Sequence, residues 1–343
     1  MRTFVLLSCM LAMGCSGSGT ATRDAGGGQT TTPGGGMTPV QCTHFVEAGA
    51  IVVAGGIAHA DGTREAVPPC NGVDGGVADM SSPQLDLAVP PLDLTTPIAD
   101  LATPPVTPPP PSPDLGGPTP PGAPTDMAST AMSPGVGGWT EWTNLLTPNG
   151  ASFLEVHFTV PPVPKTAGQQ TIFLFPSFTA DTNPPIIQPV LQWGPSAAGG
   201  GKYWSIASWY LDANANSYYG KLVKVNAGDV IDGKIAGTNC ANAICASWTI
   251  TTTDVTQPTL VSTLTTAAGG YAYTQAQGGV LEVYSVSTCA EYPAGPTSFT
   301  DLVLDDESGA AVTPQWIQGT ANLISSCTYA ITTPSSSEID LAY

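Results

Sequence analysis

Basic side chains are scarce in this chain. Its 343 residues hold 8 Lys and Arg against 26 Asp and Glu, a formal net charge of −18. So acidic a surface offers no patch to neutralise phosphates, which excludes nucleic acid as a partner. It suits an extracellular protein or one working in acid. Histidine is scarcer still, with 3 in the whole chain and only His157 beyond residue 137. The C-terminal part therefore cannot build a multi-histidine metal centre, and no metal or other cofactor is expected. No G-x-S-x-G elbow, HExxH, P-loop or dinucleotide fingerprint occurs. Long apolar runs are missing as well: the one at the N-terminus, Phe4 to Met13, is too short to cross a bilayer.

That run follows a single cation, Arg2, and has the layout of a secretory signal. It ends in Ala12-Met13-Gly14-Cys15, the pattern of a bacterial lipobox. Residues 1–14 read as a lipoprotein signal peptide, with Cys15 as the lipidated first residue of the mature chain. Cys9 leaves too short an apolar segment ahead of it to compete. Ser16 after the cysteine points to the outer membrane or cell surface. The chain is expected to be exported, to meet the membrane only through this anchor, and to be a monomer.

Glycine (39) and proline (34) are abundant and concentrate in residues 15–137, which read as a disordered, low-complexity tether. A seven-residue repeat runs through 79–118, with Asp79-Met80, Asp86-Leu87, Asp93-Leu94, Asp100-Leu101 and Asp114-Leu115. Proline in each unit, such as Pro83, Pro90 and Pro97, forbids a coiled coil. An extended, partly polyproline II spacer is expected, holding the C-terminal domain away from the membrane. One island interrupts it, Cys42 to Cys70, with enough Val and Ile for a small hairpin. Its His44, Glu47, His59 and Asp61 read as solvated polar residues rather than metal ligands.

Beyond Cys9 and Cys15 six cysteines remain, an even number that favours disulfides in an exported protein. Proximity in the chain pairs Cys42 with Cys70, Cys240 with Cys245 and Cys289 with Cys327.

From residue 138 to 343 strand-like runs recur about every ten residues, bounded by Gly, Pro, Asn and Asp. "SFLEVHFTV" alternates cleanly, with Leu154, Val156, Phe158 and Val160 to one side and Glu155 and His157 to the other. No stretch has helical periodicity. An all-β domain with ten or more antiparallel strands is a two-sheet β-sandwich or jelly roll.

Two strands carry polar groups where a core strand should not. In "IIQPVLQWG" Gln188, Val190 and Gln192 share one side, and Ile187, Leu191 and Trp193 the other. In "GGVLEVYSV" Glu282 and Tyr284 oppose Leu281 and Val283. A glutamate among apolar neighbours has a raised pKa, which suits a general acid or base. His157 reads as a sheet-face residue rather than a catalytic base.

"EVHFTVP", "VLQWG", "YWSIASWYLD", "VNAGDVIDGKI", "VLEVYSV" and "FTDLVL" occur in the order and approximate spacing of the glutamic peptidases, or eqolisins. The resemblance covers nearly all of 139–343 and implies a concanavalin A-like sandwich. It implies a catalytic dyad of Gln192, in Val190-Leu191-Gln192-Trp193-Gly194, and Glu282, in Leu281-Glu282-Val283. Glu282 would move protons between water, peptide and leaving amine, and Gln192 would donate to the oxyanion, at acid pH and with no cofactor. Gln188, Trp204, Ser208, Tyr210 and Tyr284 would line the substrate cleft. The family's W-V-G-I-D-G strand is "FLFPSFTAD" here, and Ser208 stands where its second cleft glutamate would be.

Two other readings compete with a polypeptide hydrolase. A glycan-binding or adhesin module would use Trp204, Trp209 and Tyr210 as stacking platforms and have no need of Glu282. A glycosidase would need Glu155 as a second carboxylate about 5–10 Å from Glu282.

Overall fold

The computed structural model describes residues 42–70, 136–180, 185–214, 216–267 and 270–343. The expected signal peptide, Cys15 and the seven-residue repeat lie outside the described residues. Four short strands come first: β1 (Thr43–Phe45), β2 (Ile51–Val53), β3 (Gly56–Ala58) and β4 (Arg64–Ala66). Then follow β5 (Val136–Leu146), β6 (Ala151–Thr159), β7 (Thr171–Ala180), β8 (Ile186–Ser196) and β9 (Gly199–Leu211). Next come β10 (Ser217–Tyr219), β11 (Val223–Lys224), β12 (Val230–Thr238), β13 (Ser247–Asp254) and β14 (Val261–Thr266). The chain closes with β15 (Tyr273–Val286), β16 (Thr297–Asp306), β17 (Ile317–Thr320), β18 (Ala330–Ser335) and β19 (Glu338–Ala342).

These strands form two sheets packed as a sandwich. The first runs β1-β10-β9-β8-β7-β15-β5-β17, with β11 beside β9. The second runs β18-β19-β16-β6-β12-β13-β14-β2-β3-β4. The alternation in each strand decides what is buried between them: Leu154 and Phe158 from β6, Leu191 and Trp193 from β8, and Trp248 from β13 share one core. Each such side chain contributes about 1.5–3 kcal/mol by leaving water.

The island at 42–70 departs from its expected place in a tether. Strand β1 pairs parallel with β10 at the edge of the first sheet. Strand β2 pairs parallel with β14, and β3 and β4 extend the second sheet. Val46, Val52 and Ile57 join the common core. The folded unit therefore includes 42–70, and the two parallel pairings are its contribution to an otherwise antiparallel fold. Isolated two-stranded hairpins are marginal in water, whereas a sheet edge supplies the missing hydrogen bonds. The disulfides are Cys42–Cys70, Cys240–Cys245 and Cys289–Cys327, the pairing expected from chain proximity.

Candidate active site

The outer face of the first sheet, turned away from the sandwich core, carries a second cluster. Trp139, Phe173, Phe175, Val190, Trp209, Val280 and Tyr284 pack there. Cross-strand pairing places the polar groups among them. Ser205 of β9 lies opposite Gln192 of β8, and Gln192 opposite Phe173 of β7. Phe173 in turn faces Glu282 of β15, which faces Trp139 of β5. Residues paired this way point to the same side, so Gln192 and Glu282 share the outer face two strand spacings apart, about 10 Å at the backbone. The Phe173 ring stands in the row between them.

Glu282 is fully buried. Its Oε1 accepts a hydrogen bond from the Tyr284 hydroxyl at 2.6 Å, while Oε2 has no hydrogen-bond partner among the described residues. Burial pushes its pKa up to about 8 against the opposing pull of the Tyr284 hydrogen bond. The side chain is therefore a neutral acid through the acid and neutral range, able to give a proton.

Gln192 is held differently. Its Nε2 donates to the Gly194 and Gly199 carbonyls at 2.8 and 3.0 Å, and its Oε1 accepts from Ser196 Oγ at 3.0 Å. An amide nitrogen has two hydrogens. Both go to the β8–β9 hairpin, so in this conformation Gln192 has none for an oxyanion. The free donor in the Glu282 row is the buried Trp139 indole, whose Nε1 has no partner among the described residues. Two rows along, past Val190 and Ala207, Gln188 lies opposite Trp209 on the same face, and the Gln188 Oε1 and Trp209 Nε1 are likewise buried and without partners among the described residues. Beyond them Ser177 donates to Gln277 Oε1 at 2.8 Å, and Gln277 Nε2 donates to Asn144 Oδ1 at 2.9 Å and Thr179 Oγ1 at 3.1 Å.

No family model and no curated protein matches the chain. Solved structures do. The chain is similar to scytalido-glutamic peptidase bound to a transition state analog inhibitor, with a TM-score of 0.44 and 14% identity over 62% of this chain and 100% of that one. It is also similar to SCP-B, a member of the eqolisin family of peptidases in complex with the tripeptide Ala-Ile-His (TM-score 0.42, 14% identity, the same coverage). A weaker likeness is to the enzymatically active domain of bacteriophage CBA120 tailspike protein 2, with a TM-score of 0.25 and 11% identity over 57% of this chain and 30% of that one. Likeness at this level concerns fold alone.

Three expected cleft residues point the other way. Trp204 packs on Trp193 in the sandwich core, and Tyr210 stacks on Tyr218 there. Ser208 Oγ reaches Thr252 Oγ1 and the Ser262 carbonyl on the opposite sheet. The reason is register: Gln192 is opposite Ser205, so the odd-numbered residues Ser205, Ala207 and Trp209 share its face. Trp204 and Tyr210 are thus unavailable as glycan-stacking platforms. Glu155 forms an ion pair with Lys234 on β12 in the second sheet, where its outward side chain lies a whole sandwich away from Glu282. It cannot be the second carboxylate of a glycosidase. His157, beside it, faces Asp301 at 3.2 Å.

Sequence reasoning missed Trp139 and Phe173, which stand beside Glu282 in its own row. "GGWTEW" carried a signal in its paired tryptophans, but the strand neighbouring Glu282 was not legible from it. Glu141 was missed too. A register irregularity in the β5–β15 pairing places it opposite Leu281 on the core side, and burial pushes its carboxyl up to about 8. Among the described residues no group of three or more His, Cys, Asp or Glu could hold a metal ion. In the island, His59 Nδ1 is 3.1 Å from Glu47 and its Nε2 3.8 Å from Glu65.

Proposed function

We propose that the sandwich is a hydrolase of the glutamic-peptidase kind, cleaving peptide bonds in polypeptides by proton transfer at Glu282. The observation that carries this reading is the Glu282 carboxyl, buried among aromatic rings with one oxygen tied to Tyr284 and the other without a partner among the described residues. A neutral carboxyl gives its proton to the peptide carbonyl oxygen, and the carboxylate so formed takes a proton from the water that adds to the carbon. The adduct collapses as Glu282 passes that proton to the nitrogen and the C–N bond breaks. The protonated carboxylic acid product then returns a proton to Glu282. The Trp139 indole N–H is the donor available to stabilise the oxygen in this row. Gln192 acts in the dyad as a positioning group, fixing the hairpin beside Phe173. Acid pH lies within the range in which Glu282 starts protonated.

The test is hydrolysis of an unfolded protein by the full chain from pH 2 to 8. Glu282→Gln is expected to lower kcat at least about 100-fold. Full activity in that variant would overturn the reading. Anchoring at the outer membrane or cell surface through Cys15 belongs to the same proposal. Its check is metabolic labelling with a fatty acid, which Cys15→Ser should abolish.

A further inference from the structure

The outer face of the first sheet carries a run of ring contacts that begins in the 42–70 segment. Phe45 on β1 lies 5.7 Å from Tyr219 on β10, centroid to centroid, and Tyr219 lies 5.3 Å from Trp209 on β9. Trp209 is 6.5 Å from Phe173, and Phe173 is 6.3 Å from Tyr284, the donor to Glu282. Exposure falls along this track: Phe45 is 52% exposed, Tyr219 half-buried and Trp209 buried. A single exposed phenylalanine means little. Its neighbours change that, because the Trp209 N–H and the Gln188 carbonyl oxygen are buried on the same row without partners among the described residues. A buried donor and a buried acceptor left unmade are unfavourable, and a ligand that satisfies both removes the penalty.

A peptide group is the complement of that pair, offering a C=O to the indole and an N–H to the amide oxygen. A bulky apolar side chain on the same peptide would cover the exposed rings. The ring planes turn along the track, Tyr219 lying at 32° to Trp209, and Phe173 at 69° to Trp209 and 76° to Tyr284. We infer that Phe45, Tyr219, Trp209 and Gln188 form a distal subsite for a bulky apolar residue of an extended polypeptide whose scissile bond lies at Glu282. The inference rests on the peptidase reading and extends it to the 42–70 segment, which β1 and the Cys42–Cys70 disulfide hold at the sheet edge.

Spacing sets the length of substrate required. From β15 to β9 is three strand steps and to β1 five, roughly 14 and 24 Å at about 4.8 Å each. Trp209 and Phe45 also lie four residues, about 13 Å, along the strands from the Glu282 row, so the separations are roughly 19 and 27 Å. Extended chain at about 3.4 Å per residue covers these in roughly six and eight residues.

The experiment uses the full chain and unstructured peptides carrying one bulky apolar residue placed two to nine residues from the cleaved bond. For placements near eight, Phe45→Ala is expected to raise KM about five- to tenfold with kcat unchanged, and Phe45→Tyr to restore it. The effect should shrink as the peptide is shortened. An Ala variant with wild-type KM at every placement, in a protein whose hydrolysis Glu282→Gln abolishes, overturns the subsite and leaves the peptidase reading standing. If no peptide is cleaved at any pH, that reading fails, and binding of the same peptides followed by tryptophan fluorescence decides the subsite. Weaker binding by Phe45→Ala supports it; unchanged binding, or binding of oligosaccharides in place of peptides, overturns it.

Discussion

Glu282 sits where ionisation is unfavourable, and that has a sign. Its folded pKa, about 8, lies above the ordinary carboxylate value of 4.5. Its contribution to stability is fully present below pH 4.5 and is lost as pH rises toward 8. Glu282→Gln should therefore narrow the difference in Tm between pH 4 and pH 8, a change that thermal unfolding at the two pH values would read directly. At Gln192 the controlling neighbour is a glycine. Gly200 has φ of +99°, and an added Cβ would lie 2.5 Å from both Gln192 Nε2 and the Gly194 carbonyl oxygen. Gly200→Ala should destabilise by about 1–3 kcal/mol through the left-handed backbone and the clash. Calorimetry would show it as a lower Tm, and a Tm equal to wild type would mean that the hairpin does not need Gln192 in this position.

Among the elements, the 42–70 segment has most to lose. It caps β10 in one sheet and β14 in the other, and its disulfide closes a sequence separation of 28. Replacing Cys42 and Cys70 by serine should cost about 3–4 kcal/mol by the loop-entropy relation. A chain beginning at residue 136 would leave both edges open. Open edges recruit other strands, so light scattering should find that chain associating while the longer one does not. A monodisperse fragment with unchanged Tm would mean that the segment is only appended. Strand β7 matters in another way. Its phase puts Phe173 and Phe175 outward and Ile172 and Leu174 inward, and it alone separates the strands of Gln192 and Glu282.

At the scale of the whole molecule several carboxyls lean the same way. Glu141 and Glu282 are pushed to about 8 by burial. Asp254 is raised by burial and by the neighbouring Asp229, against the Gln257 and Thr256 N–H groups. Asp232 is raised by burial, against Lys234. Asp61 and Asp306 shift downward through local hydrogen bonds, but both are exposed and count for little. With a net charge of −18 at pH 7, self-repulsion also grows as carboxyls ionise. Maximum stability is expected near pH 4–5, falling toward pH 8. Denaturant unfolding across that range checks it, and a maximum at pH 7 or above would contradict it.

The composition and the period-two pattern by themselves determined an all-β sandwich, and in β8 and β15 they told which residues share a face. Both are local properties, since alternation within one strand needs no knowledge of its neighbours. The disulfide pairing was legible for a similar reason, each bridge joining cysteines close in the chain. The tertiary structure alone decided how one strand's faces match the next. Ser205 rather than Trp204 lies opposite Gln192, so Trp204, Ser208 and Tyr210 turn into the core, while Trp139 and Phe173 take the places beside Glu282. It also decided that Gln192 bonds its own hairpin and that the 42–70 segment belongs to both sheets. Register and edge pairing come from contacts between residues far apart in sequence, and no local pattern carries them.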